Sequence, residues 1–509
     1  MLAKTFAYGI NGLDAYPVTI EIDSGRGLPG TTIVGLPDNS IRESRDRVWT
    51  ALKNSGFTFP THKTTINLSP ADLKKEGAHY DLAIAVGLLA ANAVIPVEMA
   101  RQFPLIGELS LDGQIKSVSG TLSMAMAALN EAQTGLIVPF PNAAEAAMLN
   151  RVSIYPVKTL AETVAFLLDP SLIPAQRASP LCPGPAANWE IDFQEVKGQS
   201  YVKRGLEIAA AGGHNIILIG PPGSGKSMLA KRLPTILPDM TPEETLETTR
   251  IHSAMGLLPL GQSWLANRPF RSPHHTSSDI AIVGGGSIPR PGEVTLSHNG
   301  VLFLDEFPEF RRPVLESLRQ PLEDRNVTIA RALRSIRFPA NFMLIAAMNP
   351  CPCGFFTDPQ KECRCSSIQV QRYLSRISGP LLDRIDVHIP VSALRTAELL
   401  NAPAAETSAQ IKQRTVAARQ RQQERFQGTN LYTNAQMTGK QITFFCSLKQ
   451  DSRDLLNQAI EELKLSARAY DKILKISRTI ADLDGAADIL PPHLAEAIQY
   501  RSLDRNWWG

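Results

Sequence analysis

Eight consecutive residues carry the plainest chemistry in the chain: Gly220-Pro221-Pro222-Gly223-Ser224-Gly225-Lys226-Ser227, the pattern G-x-x-x-x-G-K-S. Glycines in such a loop let backbone N–H groups wrap a polyphosphate, and a following helix adds the positive end of its dipole. Lys226 is placed to reach the β- and γ-phosphates, and the Ser227 hydroxyl to ligate Mg²⁺. A second constellation is Val301-Leu302-Phe303-Leu304-Asp305-Glu306, with Asp305 79 residues beyond Lys226. Four apolar residues predict a buried strand with two carboxylates at its C-terminal end. Asp305 would hold Mg²⁺ through water, and Glu306 would polarise an attacking water. The second acid points to hydrolysis rather than simple binding. Asn349 ends another apolar run and is placed to position the same water. ATP and Mg²⁺ are the expected cofactors. A chance glycine-rich turn and an acidic strand cap are the bland alternatives.

Four of the six cysteines fall between Cys351 and Cys365: Cys351-x-Cys353, nine residues, then Cys363-x-Cys365. Four thiolates in two short pairs suit a closed tetrahedral Zn²⁺ site, which leaves no open coordination position and is therefore structural. Unliganded thiols, a disulfide or an iron–sulfur role are the alternatives. Cys182 and Cys446 are isolated.

The elements that must position these groups can be read coarsely. A chain of 509 residues suggests three domains at ~150 residues each. Hydrophobic residues at 43% and charged residues at 20% allow substantial cores, excluding a disordered polymer. With 52 Lys and Arg against 49 Asp and Glu, the net charge of +3 excludes a histone-like basic coat but not local basic patches. The first residues, MLAKTFAYGINGLDAY, contain no apolar signal segment. The apolar run Leu82 to Val97 is shorter than the ~20 residues a membrane span needs and reads as a buried helix. A soluble, cytoplasmic protein with no membrane partner is expected.

The proline-rich segment 170–187, with five prolines and one charge, predicts a linker. Before it, strands are expected at 18–23, 31–36 and 64–69. Ser40 and Glu43 have capping-box spacing, with a helix to Asn54, and 81–93 reads as a buried helix. After it, apolar runs at 215–220, 301–306, 342–349 and 383–391 have the two-sided burial of parallel strands. From about Ser392 the pattern becomes helical, at 404–426, 450–463 and 466–484.

These motifs together resemble an AAA+ ATPase of the magnesium-chelatase-like group that also includes the MCM helicases. Asp192–Gln199 is similar to the segment that contacts adenine in such proteins, and the resemblance implies nucleotide contacts from Val196, Gly198, Gln199, the loop 220–227 and Met228. Asn349 is similar to sensor 1, Arg384 in PLLDRID (380–386) to the arginine finger, and Arg468 in SARAYDKIL (466–474) to sensor 2. On the residues alone, Arg384 could instead pair with Asp383 or Asp386, and Arg468 could lie on a solvated face. The resemblance is closer still to the ComM/YifB family, through FRSPHHTSSDIAIVGGG (270–286), GEVTLSHNGVLFLDE (292–306), RISGPLLDRID (376–386) and INLSPADLKKEGAHYDL (66–82). It implies a DNA-processing motor, of the branch-migration or helicase type, assembled as a hexameric ring. Magnesium-chelatase-like remodelling of a protein partner is the rival, and a regulatory scaffold the non-enzyme rival.

The implied fold is an α/β P-loop AAA+ core with a parallel sheet (191–395). An α+β Lon-protease-like, ribosomal S5-like domain (1–169) and a linker (170–190) precede it, and a helical lid (396–509) follows. Residues 66–140 resemble the Lon protease domain, but the positions matching its Ser–Lys dyad are His79 and Leu122. Peptidase chemistry needs a hydroxyl and an amine in reach. A scaffold or DNA platform is therefore expected, with His79 structural. The MCM resemblance implies a channel hairpin carrying Arg331, Arg334 and Arg337, which would grip DNA phosphates without reading bases. A second channel loop would carry Arg271, His274 and His275 with Gly284–Gly286. Solvated edges are the alternative for these residues and for the basic helix 411–426.

Overall fold

The computed structural model describes residues 1–501 except 26, 29, 58–61, 178–188, 260–261, 287–288, 332–333, 357, 359–360, 394–404, 430 and 464. Most of the expected linker lies outside the described residues. The chain divides into two compact units, Met1–Cys182 with Pro242–Leu265, and Pro183–Thr241 with Ala266–Gly509. The excursion 242–265 falls inside the stretch expected to belong wholly to the ATPase core, yet its helix Pro242–Ala254 packs on helix Thr121–Asn130 of the first unit.

In the first unit, Leu2–Asn11 and Asp14–Gly25 form an antiparallel hairpin. Lys63–Ser69 adds antiparallel to the second strand, and Gly30–Val34 closes the edge in parallel. The strand expected at 18–23 is thus twelve residues long, and its hairpin partner carried no expectation. Helix Asp81–Ala91 is buried at every position and lies on this hairpin, as its apolar composition requires. Helix Asn39–Asn54 is capped by Asp38, whose side chain accepts from the Ile41 amide at 2.8 Å. This corrects the Ser40–Glu43 capping box: both residues lie inside the helix, because the aspartate two positions earlier already satisfies the first free amide.

In the second unit five parallel strands run in the order Phe270–Arg271, Val301–Leu304, Met343–Met348, Ile216–Ile219, Val387–Pro390. The three middle strands are wholly buried, as continuous apolar runs covered on both faces should be. Two expected strands shorten. The run 383–391 is a strand only over Val387–Pro390, because 383–386 closes a helical turn, and 301–306 stops at Leu304. The two-residue edge strand at 270–271 gave no sequence signal. Helices Ser408–Arg425, Gln450–Leu463, Ala467–Leu483 and Pro491–Gln499 follow. They share one hydrophobic core with the sheet, where Ile411, Ile473, Ile480 and Leu494 join Ile216, Leu218 and Ile389.

Candidate functional site

Parallel strands gather ligand groups at their C-terminal edge, because each strand there gives way to a loop. Ile219 is in register with Met348, and Leu304 with Ala346, so the groups just beyond three strands emerge side by side. Gly220–Gly225 follow Ile219, and Gly223 and Gly225 have φ of 76° and 88°, the left-handed region that favours glycine. Helix Lys226–Arg232 opens at once, aiming its first amides into the loop.

Lys226 Nζ donates to Gly220 O at 2.7 Å, Pro221 O at 2.9 Å and Asn349 Oδ1 at 3.2 Å. Burial pulls the Lys226 ammonium below its usual range, against the opposing charge of Asp305. Ser227 Oγ donates to Asp305 Oδ2 at 2.5 Å. Asp305 Oδ1 accepts the Glu306 amide at 2.9 Å. Glu306 itself sits at φ 52°, a strained position for a non-glycine residue, of the kind that clusters at functional sites. From below, Gln199 Nε2 donates to Ser224 O at 2.9 Å and Ser392 O at 3.3 Å, tying the 196–199 segment to the loop. Gly198 and Gln199 both have positive φ, and Val196 is fully buried. Met228 is exposed in the first turn of the helix.

Lys226, Ser227, Asp305 and Asn349 therefore form one bonded cluster. Arg384 and Arg468 go elsewhere. Arg384 pairs with Glu323 and donates to Pro380 O at 2.6 Å, while its Nε, buried, has no partner. Neither Asp383 nor Asp386 takes it: Asp383 pairs with Arg468 at 2.9 Å, and Asp386 with Lys472 at 3.3 Å. Sequence reasoning missed Glu323, 61 residues away from Arg384 along the chain.

The residues assigned to DNA also scatter. His275 Nδ1 lies 3.0 Å from Glu306 Oε2, so this histidine sits on the acid expected to activate water. Its ring packs on His274, with centroids 4.2 Å apart. Arg271 is neutralised by a two-pronged pair with Glu293 at 2.7 and 2.8 Å. Asn326–Arg331 and Arg334–Pro339 form an antiparallel hairpin with Arg331 opposite Arg334. Arg337 is exposed opposite Thr328. A spacing of three is odd in a strand of period two, so Arg334 and Arg337 occupy register positions of opposite faces.

The four clustered cysteines also converge. Cys351 and Cys353 Sγ are 3.3 Å apart, Cys351 and Cys363 3.7 Å, Cys353 and Cys363 3.6 Å, with Cys365 inside the same 4.8 Å group. A tetrahedral ion bound at ~2.3 Å would separate its sulfurs by about 3.8 Å, so the donor set fits Zn²⁺.

In the first unit, Leu122 is fully buried, and its amide donates to Glu145 Oε1 at 3.0 Å. His79 is partly shielded, and its Nε2 has no partner. No hydroxyl–amine pair stands at these two positions.

Three family models cover most of the chain. "Magnesium chelatase, subunit ChlI" matches 192–399, "Subunit ChlI of Mg-chelatase" matches 20–142, and "Magnesium chelatase, subunit ChlI C-terminal" matches 405–501. The chain is 44% identical to "Competence protein ComM" of Haemophilus influenzae, over 99% of this chain and 98% of that protein. It is 44% identical to "Uncharacterized protein YifB" of Escherichia coli, over 97% of this chain and 96% of that one. A local likeness, 26% identity over 162 residues, joins it to "Lon protease 2" of Bacillus subtilis, covering 30% of this chain and 29% of that protease. The phosphate-loop geometry, the parallel sheet and the full-length likeness agree: the chain belongs to the ComM/YifB family of magnesium-chelatase-like AAA+ proteins.

Proposed function

We propose that this protein is an ATP-hydrolysing motor that assembles as a hexameric ring and moves DNA, in helicase or branch-migration work. The observation that carries the ATPase is the bonded cluster of Lys226, Ser227, Asp305 and Asn349 at the sheet's C-terminal edge. Lys226 now rests on loop carbonyls and an amide oxygen, neutral acceptors that phosphate oxygens would replace. Ser227 and Asp305 would hold Mg²⁺, which when bound offsets charge on the transferring phosphate. Glu306, half-exposed beyond them, takes a proton from the attacking water, and Asn349 orients it. Arg384 reaches a neighbouring subunit's site, and Arg468 approaches the phosphates once released from Asp383. The four cysteines hold a structural Zn²⁺.

The DNA reading is supported by the hairpin of Asn326–Arg331 and Arg334–Pro339, whose sequence carries three arginines with Arg337 exposed, and by the full-length likeness to a protein described as a competence protein. The magnesium-chelatase descriptions favour a second reading, a motor that remodels a protein partner. The ATPase rate, measured with and without single-stranded, duplex and branched DNA, separates the two. Stimulation by DNA is expected. A rate indifferent to every DNA form would sink the DNA reading, and no hydrolysis at all would sink both.

A further inference from the structure

The cysteine cluster touches the phosphate-binding loop by two routes. The first runs along the chain: Cys351 lies two residues beyond Asn349, whose Oδ1 accepts from Lys226 Nζ at 3.2 Å. The second is packing. Gly354, between the cysteine pairs, is buried at φ 86°, and a β-carbon there would stand 2.5 Å from Cδ and 2.7 Å from Cγ of Pro222. Pro222 belongs to the phosphate loop, so the backbone of the cysteine turn lies directly against it. That turn is tied to the sulfurs. The Gly354 amide donates to Cys351 O at 3.0 Å, and the Phe356 amide to Cys351 Sγ at 3.3 Å. Free thiols 3.3–3.7 Å apart have little to hold such a turn, because S–H groups are weak hydrogen-bond donors. A metal bonded to all four would fix it.

We propose that the four cysteines, loaded with Zn²⁺, are a brace for the phosphate-binding loop, so that nucleotide affinity depends on an ion that never touches the nucleotide. Metal fixes the turn 351–356. The turn seats Gly354 on Pro222 and holds Asn349 against Lys226. When the metal is lost, the loop loses both supports and its amides are no longer preorganised for phosphate. Coupling between two sites is reciprocal, so bound nucleotide must also retain the metal. The proposal rests on the nucleotide and zinc readings above, and its test separates it from them.

The experiment uses the full chain and two readouts, metal content by elemental analysis and affinity for fluorescent ADP. Cys363→Ser is expected to lose the zinc and bind ADP about tenfold more weakly, because a loop that must be ordered on binding costs affinity. Gly354→Ala keeps every sulfur. It should retain zinc yet show a similar loss, because the added methyl displaces Pro222. If the cysteine variant misfolds, stripping the natural protein with a chelator and restoring zinc gives the same readout: ADP affinity should fall and then return. Lys226→Ala should lose ADP while keeping zinc, which tests the nucleotide reading separately. Excess ADP should slow zinc transfer to a chromogenic chelator in the natural protein but not in Lys226→Ala. The brace is overturned by wild-type ADP affinity in zinc-loaded Gly354→Ala, by zinc release indifferent to ADP, or by a metal-free natural protein that binds ADP fully.

Discussion

Residues 220–227 and 75–81 are polar loops, one in each unit, and they use their polar groups in opposite ways. In the second unit Lys226 leans on neutral acceptors, and Glu306 projects half-exposed beside it. In the first, the loop's charged groups are consumed by the chain itself, while His79 Nε2 has no partner. Asp81, fully buried, accepts from Arg47 Nε at 2.7 Å, Arg47 Nη2 at 3.1 Å, the Leu109 amide at 3.2 Å and the Ser44 hydroxyl. Lys75 is buried on the carbonyl of Pro70, and Asp38 accepts the Gly77 amide at 3.2 Å. A carboxylate with four donors has no capacity left for a ligand. Lys226 opens a helix after a glycine loop and can exchange its carbonyls for phosphate; Lys75, also on a carbonyl, is sealed from solvent. Charged residue types mark a function where a ligand can take over their bonds, not where the fold has already used them. The difference predicts that changes in the first loop cost stability while changes in the second cost turnover.

Glu306→Gln should give the largest effect. Removing only the water-activating carboxylate should cut phosphate release about 10²- to 10⁴-fold while ATP stays bound. The melting temperature should hardly move, as for most surface substitutions. Normal turnover in this variant would mean that the acid at the strand end is a cap and that the contrast between the loops is false.

Arg384 has both an internal partner, Glu323, and a proposed external one, and Arg384→Ala tests which of them it serves. If it serves a neighbouring subunit, the variant should bind ATP, assemble, and hydrolyse about 10³-fold more slowly. Mixed with Lys226→Ala, it should regain part of the activity, since some interfaces then hold both intact halves. Two inactive variants that stay inactive together would leave Arg384 as the partner of Glu323 and nothing more.

Asp81→Ala is expected to act the other way. It leaves Arg47 beside an emptied polar pocket, and breaking such a buried pair costs about 3 kcal/mol or more. Calorimetry should show the loss, while ATP turnover of the folded fraction stays at the wild-type level. Lost turnover with unchanged melting would place the 75–81 loop in the ATPase machinery.

What the sequence makes legible follows from the same contrast. A phosphate loop must be contiguous, because one short run of backbone wraps the ligand, so Gly220 to Ser227 reads directly. Asp305 and Asn349 read almost as directly, each being the first polar residue after a buried apolar run. The four cysteines read from their pairing. Illegible were the long-range partners: Glu323 for Arg384, Asp383 for Arg468 and Glu306 for His275 are set by tertiary packing and leave no local pattern. The excursion 242–265 was missed for a similar reason. Its helix is mixed in polarity along its length, and nothing in it says which core it joins. The strand at 270–271 is too short to show a period.

The smallest effect concerns His79, which stands where a Lon-type dyad would have its hydroxyl. Burial lowers its pKa from 6.5 to about 4, against the weaker upward pull of the Tyr8 backbone and Asp38. Between those values the unfolded chain binds a proton that the folded one refuses. The stability it contributes is therefore complete above 6.5 and is lost as the pH falls toward about 4. Between about pH 7.5 and about pH 5 the loss is about 2 kcal/mol at most, since the ring is partly exposed. Buried Asp81 and Glu145, both raised by desolvation, work in the opposite sense over part of this range, so the raw pH profile of the first unit mixes the three. The difference between the natural protein and His79→Gln isolates the histidine. Glutamine does not titrate, so the variant's stability relative to wild type should improve on acidification by about the same 2 kcal/mol. ATP turnover at neutral pH should be equal in both. A difference that does not change with pH would show that His79 takes up its proton in the folded state as freely as in water. That outcome would make it an accessible group with unfinished bonds, and the first loop, like the second, a place to look for a ligand.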